Sequence, residues 1–130
     1  MNILTNTVLA ILLVSTTSVN AEGIDDKFLA NMAVQSNKQL PVIFDKENRL
    51  DSVTSGPGLL LTYNHIIPMP SDKELFYRSK LSQLKTKGCP MHDMKLYLLG
   101  GVTICYSYRA PDGSLIANID MLPKDCGLEN

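Results

Sequence analysis

One thiol, one imidazole, one carboxylate and two thioethers fall within residues 88–94, which read GCPMHDM. Thioethers with a histidine and a thiolate suit Cu(I), so Cys89, Met91, His92 and Met94 are the candidate metal set. Cys89-Pro90-Met91-His92 also has the outline of a Cys-x-x-Cys redox motif whose second thiol is replaced by His92. A thiol just before a helix N-terminus has a lowered pKa. Both readings meet objections in the sequence itself. On a helix starting at Pro90, Met91 and Met94 share a face, while His92 points roughly a third of a turn away. The only other histidine is His65. Thioredoxin-like chemistry needs a βαβ frame and a resolving thiol nearby, and neither is expected here. The simpler expectation is no metal and no cofactor: Met91 and Met94 fill a core, and His92 with Asp93 forms the solvated first turn of a helix.

Other constellations are poorer. No GxSxG elbow and no HExxH pattern is present, so a hydrolase is not expected. Asp45, Glu47, Arg49 and Asp51 cluster where charges blunt a sheet edge. Gly56-Pro57-Gly58 is a turn, with no Lys-Ser/Thr after it to make a phosphate loop.

Composition narrows the function classes. The 130 residues suffice for one domain with a modest core. Hydrophobic residues make up 45% and charged residues 19%, the balance of a folding chain. The net charge of −1 offers no basic excess for a nucleic-acid partner. The absence of Trp and the 6% aromatic content argue against a stacking platform for bases.

Residues 1–21 carry no charged side chain, and the apolar run at residues 8–14 is too short to span a bilayer. Val19-Asn20-Ala21 places short residues at the −3 and −1 positions of a cut before Glu22. The expectation is a secretory signal peptide over residues 1–21 and a single domain over residues 22–130, without a transmembrane segment in the mature chain. An uncleaved anchor is the competing reading. Export implies an oxidising compartment, where Cys89, Cys105 and Cys126 count as potential disulfide partners. Three is odd, so the simplest state is one pair and one free thiol. A Cys89–Cys105 bond is geometrically open if the short helix and the following strand run antiparallel.

The elements that must position these residues can be read from periodicity. Phe28, Leu29, Met32, Ala33 and Leu40 predict a helix over residues 25–40, ended by Pro41. Val42, Ile43 and Phe44 form a short extended piece. Residues 49–54 and 59–67, joined by Gly56-Pro57-Gly58, predict a β-hairpin. Ser71-Asp72-Lys73-Glu74 reads as a capping box opening a helix. Leu75, Tyr77, Leu81 and Leu84 mark its buried side, Lys85 and Lys87 suit its C-terminus, and Gly88 suits a left-handed cap. Pro90 suits the first position of a short helix over residues 90–99, ended by Gly100-Gly101. Val102, Ile104, Tyr106 and Tyr108 alternate along a strand that returns after Pro111-Asp112-Gly113. The turn leaves two registers open: a three-residue loop with a Gly bulge, or a two-residue turn that sets Tyr106 opposite Ile119. The order is two αββ units with an extra short helix. It predicts an α+β fold, one antiparallel sheet of about four strands with helices on one face.

Leu40-Pro41, Asp45, Arg49-Leu50-Asp51-Ser52-Val53, Gly56-Pro57-Gly58 and Leu61-Thr62-Tyr63 resemble the pattern of a group of small exported bacterial proteins. The resemblance continues through Cys89, Gly101-Val102-Thr103, Tyr106-Ser107-Tyr108, Asp112-Gly113 and Cys126. It implies export and a disulfide between the first and last cysteines, Cys89 and Cys126, and it assigns no activity. Cys105 departs from the pattern and is left as a free thiol. A crosslink of that kind contributes about 2–4 kcal/mol.

These readings converge on a protein of the periplasm, or a secreted one, that acts by binding and is not an enzyme. The partner expected is another envelope or exported protein. The leading reading is a non-catalytic accessory of an envelope machine, a pilus or secretion apparatus, on the ground that an exposed hairpin edge can accept a strand. The alternatives are an inhibitor or immunity protein against a toxin or hydrolase, and a thiol- or copper-handling protein acting through Cys89, His92 and the two methionines.

Overall fold

The computed structural model describes residues 23–45 and 47–128. The expected signal peptide and its cut lie outside them. The first helix, α1 (Asp26–Asn37), opens where the Asp25 carboxylate accepts the Phe28 N–H at 2.8 Å. Leu29 and Ala33, four apart, are buried on one face. The helix stops short of Leu40, where Lys38, Gln39 and Leu40 donate to carbonyls three residues back in a tightened last turn, and the side chain of its last residue, Asn37, ties it to the sheet. Its Nδ2 donates to the Val53 carbonyl and its Oδ1 accepts the Val53 N–H, both at 2.8 Å.

The sheet has five strands in the order β1-β2-β3-β4-β5, not the four expected. The extra one is β1 (Val42–Ile43), a two-residue strand pairing with the start of β2 (Arg49–Ser55). Asn37 does for Val53 what β1 is too short to do: it supplies backbone-like partners on the open side of β2. β2 and β3 (Leu60–Ile66) form the expected hairpin, with Gly56 and Gly58 both at positive φ in the turn.

The expected all-antiparallel sheet is corrected at its centre. β3 pairs with β4 (Thr103–Arg109) in parallel, from Leu60 opposite Thr103 to Ile66 opposite Arg109. The reason is the length of chain between them. Residues 67–102 hold two helices and carry the chain back along one face, so β4 starts at the same end as β3. β4 and β5 (Leu115–Met121) form the second hairpin. It combines the two registers left open. Ala110 and Ser114 close a three-residue loop with Gly113 at φ +89°. A register shift between Tyr108 and Arg109 then sets Tyr106 opposite Ile119.

Helix α2 (Lys73–Gly88) starts one residue later than a Ser71 cap predicts. The Asp72 carboxylate accepts the Leu75 N–H at 3.0 Å; a charged acceptor there outcompetes a hydroxyl. Its inward stripe is Phe76, Lys80, Leu81, Leu84 and Gly88. Leu75 and Tyr77, expected inside, are 54% and 39% exposed. Gly88 is the last helical residue and not a left-handed cap. A Cβ there would meet the Met94 side chain at 2.9 Å, so the glycine serves close packing. Helix α3 (His92–Leu99) begins two residues after Pro90, because Cys89 and Pro90 make the turn from α2.

All three helices pack on one sheet face. There Leu29, Val53, Leu61, Met94, Leu98, Ile104 and Met121 are the core. The opposite face is polar, with Thr54, Thr62, Cys105 and Asp120 in one row across the strands. After β5 a short turn, Pro123–Cys126, brings Cys126 to Cys89, and the two are joined as a disulfide spanning 37 residues. The Asp125 carboxylate holds this turn by accepting the Leu122 N–H at 2.8 Å.

Candidate docking groove

Alternation along a strand puts Tyr63 and His65 of β3 on the helix-bearing face, with Tyr106 and Tyr108 of β4. The parallel register then sets Tyr63 beside Tyr106 and His65 beside Tyr108. The rings stack: Tyr63 on Tyr106 at 5.5 Å between centroids, His65 on Tyr108 at 4.9 Å. Phe76 of α2 meets Tyr108 edge-on at 5.2 Å, and the Lys80 ammonium lies 5.6 Å from the Tyr108 centroid.

His65, Tyr106 and Tyr108 of this layer are the floor of an open groove of about 460 Å³. α2 forms one wall with Lys80, Leu84 and Lys87. The β1–β2 connection forms the other with Phe44, Asp45 and Asn48. Asp45 stiffens that connection by accepting the backbone N–H groups of Glu47 and Asn48 at 2.7 and 2.9 Å. Two large apolar side chains stand exposed above the floor. Phe44 is 61% exposed on one wall, and Met91 is 57% exposed at the end of the other.

His65 is the polar anchor of the floor. Its Nδ1 lies 2.9 Å from Asn48 Oδ1. The amide oxygen only accepts, so Nδ1–H donates. Burial, helped by the Lys80 charge, lowers its pKa to about 4. Burial, with the Tyr63 hydroxyl beside it, pushes Tyr106 up to about 12. Burial also raises Tyr108 and Tyr63. The floor is therefore uncharged at neutral pH. It offers rings and few polar atoms, which suits apolar contact and not proton transfer.

The seven-residue stretch of chemical interest is dispersed. The Cys89 sulfur is bonded to Cys126 and is no thiolate ligand. Met94 is buried in the core, Met91 stands at the groove, and His92 is exposed. Among the described residues no group of three or more His, Cys, Asp and Glu is placed to hold a metal. Cys105 is free and buried on the other sheet face, and burial beside Asp120 pushes its thiol up to about 12. Of the charge cluster, Arg49 and Asp51 pair at 3.2 Å at the surface. The groove residues His65, Phe44, Phe76 and Lys80 are not evident as a site in the sequence. The available signal was the alternation of Tyr63 with His65 and of Tyr106 with Tyr108, which places four rings on one face once their strands are neighbours.

The fold is thus a one-sided α+β sheet whose covered face leaves an aromatic groove beside its long helix. Solved structures share this architecture. A protein of Pseudomonas aeruginosa described as secreted superposes with a TM-score of 0.68 at 20% identity, over 78% of this chain and 91% of the other. EpsS, the pilotin of the Vibrio vulnificus type 2 secretion system, gives 0.63 at 16% identity, over 80% and 93%. AspS, the type II secretion system pilotin of Vibrio cholerae, gives 0.57 at 18% identity, over 78% and 91%. At these identities the likeness is one of fold. No protein-family model matches the chain, and no curated relative matches it. Among the described residues no helix is long and apolar enough to cross a membrane.

Proposed function

We propose that this chain is an exported, non-catalytic accessory of a secretion apparatus that holds a segment of another envelope protein in the groove. The observation that carries this is the exposure of Phe44 and Met91 on either side of an uncharged aromatic floor. Exposed anchors converging on one concave surface are the mark of a docking site. Two neighbours in fold are pilotins of type 2 secretion systems, which supports an accessory role. The Cys89–Cys126 bond fits a periplasmic or secreted location, which the signal peptide expected over residues 1–21 would provide.

The test is affinity capture from the periplasm with identification of the prey. The parent and an α1 surface variant, Val34→Asp, are expected to retain a component of a secretion or pilus apparatus. Phe44→Asp with Met91→Asp is expected to lose it at an unchanged melting temperature. A soluble toxin or hydrolase as the specific prey would overturn the proposal in favour of an inhibitor. Retention of the same apparatus component by the groove variant would move the interface elsewhere.

A further inference from the structure

The groove offers two kinds of information besides its apolar floor, and both concern the shape and direction of what fills it. The floor is the face of β3 and β4, two central strands whose backbone groups are already paired. An extended segment laid there would set its own N–H and C=O groups against aromatic rings, unpaired. A helix satisfies its backbone internally and presents side chains alone. The α2 wall repeats at helical spacing as well. Lys80, Gln83, Leu84 and Lys87 all line the groove at positions i, i+3, i+4 and i+7.

The two walls differ in sign. Lys80 and Lys87 stand on α2. Asp45 and Glu47 stand on the β1–β2 connection, Asp45 in the groove itself and Glu47 in the hollow that continues it past Lys80. Among the described residues none of these four is in an ion pair; the pairs present are Arg49 with Asp51 and Lys85 with Asp125. Lys46 lies outside the described residues.

We infer that the groove accepts an amphipathic helix in one direction only, with the helix's acidic flank against α2 and its basic flank against the β1–β2 connection. This rests on the docking role proposed above. The physical reason is geometric. A helix whose apolar stripe faces the floor exchanges its left and right flanks when it is turned end for end. With walls of opposite charge, one direction meets complementary charges and the other meets like charges on both sides. Walls of equal sign would select a composition but not a direction.

The experiment uses two synthetic helices of the same leucine stripe, one with glutamates along the first flank and lysines along the second, the other with these flanks exchanged. Each carries a nitroxide at its N-terminus and is added to the 15N-labelled protein. One peptide is expected to broaden amides at Ile67 and Phe76, and the other those at Gly88 and Met91, with a preference of about tenfold that fades in high salt. Lys80→Glu, Lys87→Glu, Asp45→Lys and Glu47→Lys together should reverse which peptide broadens which end, and Lys46→Gln should leave the assignment unchanged. Broadening of the same end by both peptides, or of both ends by each, overturns the directional inference and leaves the groove a docking site. Absence of shifts at Phe44, His65 and Met91 with either peptide overturns the docking reading and this inference together.

Discussion

Tyr63 and Tyr106 stack with their ring planes 15° apart, although a two-helix crossover separates them in the chain. Their contact exists only because β3 and β4 are parallel neighbours. Tyr106 is only partly buried, so Tyr106→Ala is expected to cost about 2 kcal/mol, less than a fully buried ring, and Tyr106→Phe much less. The hydroxyl titration adds a pH signature. Tyr106 is raised from 10 to about 12, so the folded chain holds a proton that the unfolded chain releases. That stability is present below pH 10 and is lost as the pH rises toward 12. Ultraviolet titration of tyrosinate in the parent and in Tyr106→Phe checks it; an unchanged late-titrating fraction in the variant would refute it.

His65 gives the opposite limb. Its folded pKa is lowered from 6.5 to about 4, so the unfolded chain binds the extra proton. The contribution is present above pH 6.5 and is lost as the pH falls toward 4, up to about 3 kcal/mol. Urea unfolding of the parent should weaken between pH 6.5 and 5, before carboxylates contribute much. His65→Gln should be flatter over that interval. Parallel profiles for the two proteins would remove His65 as the cause.

The Cys89–Cys126 bond ties the turn between α2 and α3 to the C-terminal turn. Cys89→Ser and Cys126→Ser should each cost about 2–4 kcal/mol, and the double variant no more than either, because all three lose one crosslink. Cys105→Ser should cost less, since it removes only a small buried apolar group. Denaturant midpoints decide it; equal midpoints for the single variants and the parent would sink the assignment. Cys105 should also resist alkylation at pH 8 until the chain unfolds, because its thiol is raised to about 12.

Asn37 is the least conspicuous of the structural residues. Its amide satisfies both backbone groups of Val53. Asn37→Ala should cost about 2 kcal/mol by leaving that pair without partners. Asn37→Asp should not restore stability, because a carboxylate keeps the acceptor and sets a negative oxygen against the Val53 carbonyl. Hydrogen exchange at the Val53 amide separates the two: protected in the parent, fast in Asn37→Ala, and still slowed in Asn37→Asp, whose carboxylate keeps the acceptor.

The local elements were largely legible. Asp25 at a helix start, Gly56-Pro57-Gly58 between alternating runs and Pro111-Asp112-Gly113 after Tyr108 each act through nearest neighbours, so their outcomes are written in short stretches. Where the reading missed, a distant residue had intervened. Asn37, the last residue of α1, is tied by its side chain to Val53. Gly88 stays helical to admit Met94. Leu75 and Tyr77 lie outside because the sheet meets α2 along Phe76, Lys80 and Leu84.

The sequence by itself determined the elements, their order, the one-sided α+β character and the presence of a thiol pair able to cross-link. Tertiary structure alone decided that β4 lies parallel to β3, and with that the groove. Alternation of Tyr63 with His65 and of Tyr106 with Tyr108 is the same for a parallel or an antiparallel neighbour. Which strand lies beside which depends on the path of the intervening helices and on the burial they achieve together, a property of the whole chain and of no single stretch.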